Sequence, residues 1–414
     1  MVTVFGLGFV GLTTALGFAH LGYKVYGIDV DAERKNILRG GKLPFLEPEM
    51  TEVLQENLNK NFFVTDDIKS AVDDSEIIYY CVGTPYGEDG SADLKYLFSA
   101  IDSTVKNISD EKFRVLVTKS TIPPSTTSEK IIPYVEKKIS DTKINLAVAN
   151  NPEFLREGHC WEDFLNADRI VIGCDNEIAR EKLCKLYAPM NIPIKCVTPS
   201  TGEFIKYLSN TLLATLISYS NEMAEIADTI GNIQVAEAFK ILHMDKRWNN
   251  CNMTTYAYPG CGYGGYCLPK DTNALLAQSK VKGFEPQILK NVIATNDKRP
   301  ATIAKNIVKN LDKNSAVGIL GLSFKPLSDD VRQSPALMII QEILKLGYKK
   351  IYAYDPAANE EFKKHYPEVE IEILNSAEEV YKISEVVAIV TAWEEFKKVP
   401  TFGDKNIIDC RYML

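Results

Sequence analysis

A chain of 414 residues, 45% of them hydrophobic and 25% charged, can fill two or three packed cores, and this composition argues against a disordered chain. A formal net charge of -8 argues against nonspecific nucleic-acid binding, which rests on clustered Lys and Arg, so any phosphate-bearing ligand must meet locally placed cations. Met1 runs straight into a strand-like stretch without a secretory leader, no apolar run reaches transmembrane length, and nine scattered cysteines read as mostly buried thiols of a cytoplasmic protein.

Short β-rich runs at Val2–Gly6, Lys24–Asp29, Glu76–Cys81, Arg114–Lys119, Asn145–Asn150 and Arg169–Gly173 alternate with helix-length amphipathic stretches. That alternation predicts a mostly parallel, doubly wound sheet over residues 1–196. Ser200 and Glu203 then have capping-box spacing, and Ile205, Leu208, Leu212, Leu216, Tyr219, Met223 and Ile226 follow at helical spacing, so one long helix to about Gly231 is expected. Ala214 and Ile217 make its other side apolar, which predicts burial on several faces, between domains or subunits. After a helical block over 197–311, a second α/β unit occupies 312–414, with strands at Ala316–Leu320, Lys350–Tyr354, Glu385–Thr391 and Asn406–Asp409. The expected fold is α/β, with two Rossmann-like doubly wound sheets joined by a central helical domain containing one long helix.

At the N-terminus the sequence GLGFVG, Gly6 to Gly11 with Phe9 and Val10 inside it, follows the first strand and enters a helix, and Asp29 closes the second strand. Gly6 permits the tight turn, Gly8 lets backbone approach a pyrophosphate, Gly11 permits close helix–sheet packing, and the helix N-terminus attracts the anion. An acid at the Asp29 position accepts a ribose 2′-hydroxyl and repels a 2′-phosphate, which favours NAD over NADP. Arg34 is the reservation, since a nearby cation can also serve a 2′-phosphate; its helical position favours a ribose contact or a solvated charge.

Cys81–Pro85 with Thr84, and Lys119–Pro123 with Thr121, each end a strand with a hydroxyl and a proline, at the edge where open sheets bind ligands; each is also compatible with a plain turn. NPEFLREG at Asn151–Gly158 puts Glu153, Glu157 and Arg156 in one loop, as a ligand site or a surface ion pair would. Lys206 and Asn210 lie one helical turn apart on a common face, suited to an oxyanion or to solvation. The glycine-rich stretch Tyr258–Asp271 contains Gly262 and ends in CLPKD; its glycines allow close approach to a ligand, and Cys267 falls near a helix N-terminus beside Lys270, both of which favour a thiolate, while a buried inert thiol is the default for any single cysteine; Asp271 closes the motif. None of the four histidines lies inside this loop and no paired CxxC spacing occurs, so no metal site is expected. Near the C-terminus, GLSFKP at Gly321–Pro326 and the segment to Pro335 resemble a dinucleotide fold without its glycine motif; Lys325 and Arg332 are candidate phosphate ligands, joined by Arg411 unless that is a surface charge.

Taken together, NPEFLREG, Lys206 with Asn210, GYGGYCLPKD and GLSFKP resemble the UDP-glucose/GDP-mannose dehydrogenase family over essentially the whole chain. The resemblance implies a four-electron oxidation of a nucleotide sugar by two NAD in succession, in a homodimer or dimer-based oligomer. It implies that Cys267 forms a thiohemiacetal and then a thioester, that Asp271, Thr121 and Glu157 serve the water, and that Lys206 and Asn210 stabilise the developing oxyanion. Glu153, Phe154, Leu155, Tyr258, Gly262, Lys325, Arg411 and a cross-subunit Arg247 would hold the substrate; Thr84, Thr121, Glu157, Lys270 and Arg332 would join the N-terminal turn around the cofactor. His159 to Trp161, Ser323 and Gln333 depart from the family's frequent residues. Two other functions share the Rossmann-plus-helices plan: a two-electron hydroxyacid dehydrogenase, which needs no nucleophilic cysteine, and a noncatalytic nucleotide-sugar sensor, which needs none of the Cys267, Lys206 and Asp271 set.

If Asp29 sets cofactor choice, Asp29→Ala narrows the NAD/NADP ratio of kcat/KM by about tenfold or more, equivalent to ~1.4 kcal/mol; an unchanged ratio assigns the selectivity to another residue.

Overall fold

Strands buried on both faces read as continuous β-branched and aromatic runs, and those runs are where the strands form. The computed structural model describes residues 1–87, 91–245 and 256–414 and divides into two units, Met1–Leu208 and Ser209–Leu414. In the first unit β1 (Val2–Phe5), β2 (Val25–Ile28), β3 (Phe62–Val64), β4 (Ile77–Tyr80), β5 (Arg114–Thr118), β6 (Leu146–Asn150), β7 (Ile170–Gly173) and β8 (Ile194–Val197) make one sheet in the order β3-β2-β1-β4-β5-β6-β7-β8. All neighbours pair in parallel except β6 and β7, which meet antiparallel at Asn150 and Gly173. Alternate residues face two cores: Val2, Val4, Val115 and Val117 pack with the helix α1 (Phe9–His20) and with α2 (Cys160–Leu165), while Phe5, Tyr80 and Leu116 pack on the opposite side.

The second unit holds β9 (Val317–Leu320), β10 (Ile351–Tyr354), β11 (Glu372–Ile373), β12 (Val386–Ile389) and β13 (Asn406–Asp409), all parallel, in the order β11-β10-β9-β12-β13. It also contains most of α3 (Pro199–Ile230), then α4 (Cys267–Val281), α5 (Gln287–Ile307) and α6 (Pro335–Lys345). Two doubly wound sheets and one long helix are thus as expected. Three strands that the periodicity did not reveal, β3, β8 and β11, all lie at sheet edges: β3 and β11 are only three and two residues long, and β8 is half exposed with a lysine inside it.

Two expectations for the long helix need correction. It starts at Pro199, so Ser200 is already helical, and Glu203 does not close a capping box: its Oε1 accepts the Thr127 amide at 2.8 Å and the Thr127 hydroxyl at 2.5 Å. Nor is its main apolar stripe the buried face. Leu208, Leu212, Tyr219 and Ile226 are about half exposed, whereas Gly202, Lys206, Tyr207, Asn210, Ala214, Ser218, Asn221 and Ala224 are buried. No helix among the described residues is long and apolar enough to cross a membrane.

Both sheets use the same device at the end of their first strand. Gly6 (φ 86°) and Gly321 (φ 100°) take a left-handed turn, and the next amide is pinned by a carboxylate from the second strand's end: Leu7 N to Asp29 Oδ2 at 2.7 Å, Leu322 N to Asp355 Oδ2 at 2.8 Å. Asp355 is fully buried and also accepts the amides of Ser323 at 3.0 Å and of Ala357 and Ala358 at 2.9 Å. Asp355→Ala orphans these donors together and is expected to cost about 3 kcal/mol of stability in urea unfolding; a midpoint equal to that of the unmodified protein would show that the turn does not need the pin.

Candidate active site

In the first unit, the loops after β1, β4, β5 and β6 leave neighbouring strands at the same sheet edge, including the point between β1 and β4 where the strand order reverses and where such sheets bind ligands. A Cβ on Gly11 would lie 1.8 Å from the Gly6 carbonyl, and one on Gly6 would lie 2.7 Å from that of Cys81, so these glycines are required by the chain's own packing. Around Gly8, by contrast, the space is open, and no side chain caps the first turn of α1. A turn with open space at Gly8 and uncapped helix amides fits the pyrophosphate of NAD. Asp29 is buried, takes the Leu7 amide on Oδ2 and the Asp31 amide on Oδ1 at 2.9 Å, and pairs with Arg34 at 3.1 Å. Arg34 is therefore held beside the Asp29 carboxylate, with about a third of its side chain exposed.

The loop after β6 is organised by buried charge. Lys206 Nζ lies 2.8 Å from Glu153 Oε1, both side chains nearly inaccessible, and Glu153 Oε2 accepts the Leu155 amide at 2.7 Å. Burial works against the Glu153 carboxylate, but Lys206 outweighs it and holds the group below its usual range. Lys119, at the end of β5, donates to Asn151 Oδ1 at 2.9 Å, and its burial lowers the ammonium to about 8. Phe154 lies beneath the Arg169 guanidinium, 4.1 Å from ring centroid to carbon. Thr84 donates to the Thr121 carbonyl at 2.8 Å, tying together the two strand-ending turns, while Glu157 is half-buried in the same loop. Arg156 leaves this set: its guanidinium and amide bond Asp163 on α2. Sequence reasoning missed Glu47, whose buried carboxylate accepts the amides of Gly158 at 2.9 Å and Cys160 at 2.6 Å and so shapes the turn beside Glu157. Lone acids in loops carry no sequence signal of that kind.

In the second unit, Cys267 is the first residue of α4 and is exposed, while Lys270 and Asp271 follow one turn later and are buried. Asp271 takes Lys270 Nζ on Oδ1 at 2.6 Å and Asn210 Nδ2 on Oδ2 at 2.6 Å. Burial opposes the charge on Lys270, but Asp271 more than compensates and raises it above its usual value. A thiol at a helix N-terminus, solvent-accessible and within a turn of a buried ammonium, has the surroundings of a nucleophile. Lys206 and Asn210 share the buried side of α3, which removes the solvated-face reading of that pair.

The glycine-rich loop before Cys267 is pressed against protein more than the sequence suggests. Cβ atoms on Gly264 and Gly265 would lie 2.3 Å from the Gln333 carbonyl and 2.9 Å from the Phe324 ring, and one on Gly262 (φ 97°) would lie 2.7 Å from Asn296 Oδ1. Asn221 accepts the Gly260 amide at 2.7 Å, Asn296 accepts that of Tyr263 at 2.8 Å, and Arg299 donates to the Gly260 carbonyl at 2.9 Å. These three supports lie within long helices and belong to no motif. Arg411 is not a free surface charge: its guanidinium packs against Gly260. Tyr258 donates to the Tyr412 carbonyl at 3.1 Å. Arg332 pairs with Asp330 at 2.6 Å and covers the Tyr266 ring, while Lys325 is half-buried near Phe324. Arg247 lies outside the described residues.

The family models for UDP-glucose/GDP-mannose dehydrogenases match along the chain: the NAD binding domain at residues 1–191, the central domain at 200–298 and the UDP binding domain at 318–414. A UDP-glucose 6-dehydrogenase of Rickettsia felis is 37% identical over 416 residues, covering 98% of this chain and 90% of that protein. One from Haloferax volcanii is 33% identical, covering 95% and 92%. Among solved structures, a UDP-glucose dehydrogenase from Pyrobaculum islandicum superposes with a TM-score of 0.92 at 33% identity, covering 99% of this chain and 94% of that one. A UDP-D-ManNAc dehydrogenase from Pyrococcus horikoshii gives 0.86 at 28% identity, covering 100% and 96%.

Proposed function

The chain belongs to the UDP-glucose/GDP-mannose dehydrogenase family and is an NAD-dependent nucleotide-sugar dehydrogenase, and we propose that its reaction is the oxidation of UDP-glucose at C6 to UDP-glucuronate through a covalent intermediate on Cys267. The observation that carries the covalent step is Cys267 itself: exposed at the start of α4, one turn from Lys270 and Asp271, in a protein whose Cys160, Cys174, Cys261 and Cys410 are buried. Names of relatives support the substrate, since the similar proteins from Rickettsia felis, Haloferax volcanii and Pyrobaculum islandicum carry UDP-glucose in theirs.

The Gly6–Gly11 turn and Asp29 would hold NAD, which would accept the hydride of the alcohol and, as a second molecule, that of the thiohemiacetal. The Cys267 thiolate adds to the aldehyde carbon, and the resulting thiohemiacetal is carried to a thioester that water cleaves to the acid. Lys206 and Asn210 stabilise the oxygen on which negative charge grows. Asp271, already bonded to Lys270 and Asn210, assists proton transfer and hydrolysis, with Thr121 and Glu157 placing the water. Glu153, the backbone of Phe154 and Leu155, Tyr258, Gly262, Lys325 and Arg411 hold the nucleotide sugar, and Arg247 reaches it from a second copy. Thr84, Lys270 and Arg332 complete the cofactor contacts. We further propose three domains, 1–196, 197–311 and 312–414, and action in the cytoplasm, where exposed thiols such as Cys196 and Cys267 stay reduced.

UDP-glucose is expected to yield about two NADH per sugar, and Cys267→Ala to lose overall turnover by roughly three orders of magnitude while still binding both ligands. Near wild-type acid formation by the variant would make Cys267 a structural thiol. The same assay with UDP-N-acetylhexosamines and GDP-mannose identifies the sugar.

The exposed stripe of Leu208, Leu212, Tyr219 and Ile226 on α3 supports a dimer or dimer-based oligomer. Leu212→Asp is expected to shift sedimentation toward monomer; an active wild-type monomer at all concentrations would refute the assembly and the cross-subunit role of Arg247.

A further inference from the structure

Glu203 has no part in the chemistry above, yet it is almost fully buried, one turn before Lys206 on α3. Its Oε1 accepts the Thr127 amide and hydroxyl, at the start of the helical segment that follows the Thr121 loop. Its Oε2 is buried too and finds no hydrogen-bond partner. A buried carboxylate oxygen left unpaired is costly, so the surroundings of Oε2 need an account. Beside Glu203 lies a cavity of about 10 Å³, lined also by Ser120, Thr121, Asn150 and Lys206. That is about the least space that holds one water, which requires two to four polar partners, and Ser120, Thr121, Asn150 and Lys206 are polar residues of the lining. The Ser120 hydroxyl donates to the Val82 carbonyl at 2.6 Å, leaving its oxygen to accept.

We propose that Glu203 is a positioning residue for the oxidation: its carboxylate ties the Thr121 loop to the helix bearing Lys206, and its inner oxygen holds one water molecule against the Lys206 ammonium. The inference rests on the reading of Lys206 as the group that meets the reacting oxygen. Glu153 grips Lys206 from the β6 loop at 2.8 Å and the Phe154 ring lies beneath it; the water supplies a further, neutral contact and limits how far the ammonium can swing. So held, Lys206 presents its charge in one place, which is what electrostatic stabilisation of a transition state demands.

The arrangement is sensitive to protonation. Burial pushes the Glu203 carboxyl up to about 7, against the donors of Thr127 and of the turn before it. Of the residues lining the cavity beside it Lys206 is the other charged one, and that ammonium is paired with Glu153 of the β6 loop. The carboxylate is the form that accepts from Thr127 and from the water, so activity falls as pH drops through about 7. Stability runs the other way. A carboxyl raised on folding favours the folded state while protonated, an advantage present below its ordinary pKa and lost as pH rises through about 7.

The test compares wild type, Glu203→Gln and Thr127→Val. Wild-type kcat is expected to show an acid limb near 7; in Glu203→Gln the limb disappears, kcat falls by about tenfold or more, and KM for the sugar and for NAD changes by less than about threefold. Thr127→Val removes a donor to the charged form, so its limb moves to higher pH. In the free protein, the melting temperature of Glu203→Gln relative to wild type is expected to rise between pH 5 and pH 8. A Glu203→Gln enzyme with full kcat or with the limb retained overturns the proposal. Should that variant fail to fold, an unmoved limb in Thr127→Val overturns it instead. If wild type ignores UDP-glucose but oxidises another nucleotide sugar, the substrate assignment fails, and the same profiles are read with that sugar.

Discussion

A carboxylate pins one amide in the glycine turn that follows the first strand of each sheet, and the shape of that sheet edge depends on it. A parallel sheet sends every strand out at one edge, and its first turn must bend sharply without blocking that edge. In the first unit Asp29 holds the Leu7 amide and shares its remaining capacity with Asp31 and Arg34, next to the open space at Gly8. In the second unit Asp355 holds the equivalent Leu322 amide but is closed off: the Ser323 hydroxyl and the Trp393 indole both donate to it, at 2.8 and 3.1 Å. The same turn is thus flanked by open space and a half-exposed arginine in one sheet and closed over by an indole in the other.

The long helix α3 poses the opposite problem to an ordinary amphipathic helix. Its buried side carries Glu203, Lys206 and Asn210, and much of its apolar stripe is exposed. Burying ionic groups gains little stability even when they are paired, and replacing them by apolar residues is often neutral or favourable. Chains keep such groups where chemistry requires them. Lys206 with Glu153, and Lys270 with Asp271 and Asn210, are two buried ionic clusters, each internally neutralised, and they are the groups to which the proposed chemistry is assigned.

Much of this was legible in the sequence. Central strands announce themselves because both faces are apolar, and the cofactor turn and the Cys267 helix start are local in sequence, so their spacing survives translation into structure. Edge strands β3, β8 and β11 lack that signal. The face of α3 was misread because helical periodicity identifies an apolar stripe but not whether the chain's own core covers it. Glu203 looked like a cap because Ser200 lies three residues before it; a distant donor, Thr127, claims it instead. The same distance effect hid Glu47, Asn221, Asn296 and Arg299, each of which supports a loop far away in sequence. Arg411 was placed as either a phosphate ligand or a surface charge, and its contact with Gly260 arises only from the tertiary fold.

The glycine-rich loop shows where evolution has room to work. At Gly264 and Gly265 the missing side chains make way for Gln333 and Phe324 of the same unit, not only for a ligand. A change at either position is filtered by folding before it is ever judged on catalysis. Mutational drift toward a new sugar is thereby denied the loop's own backbone and channelled into side chains that line the site without bearing the packing load.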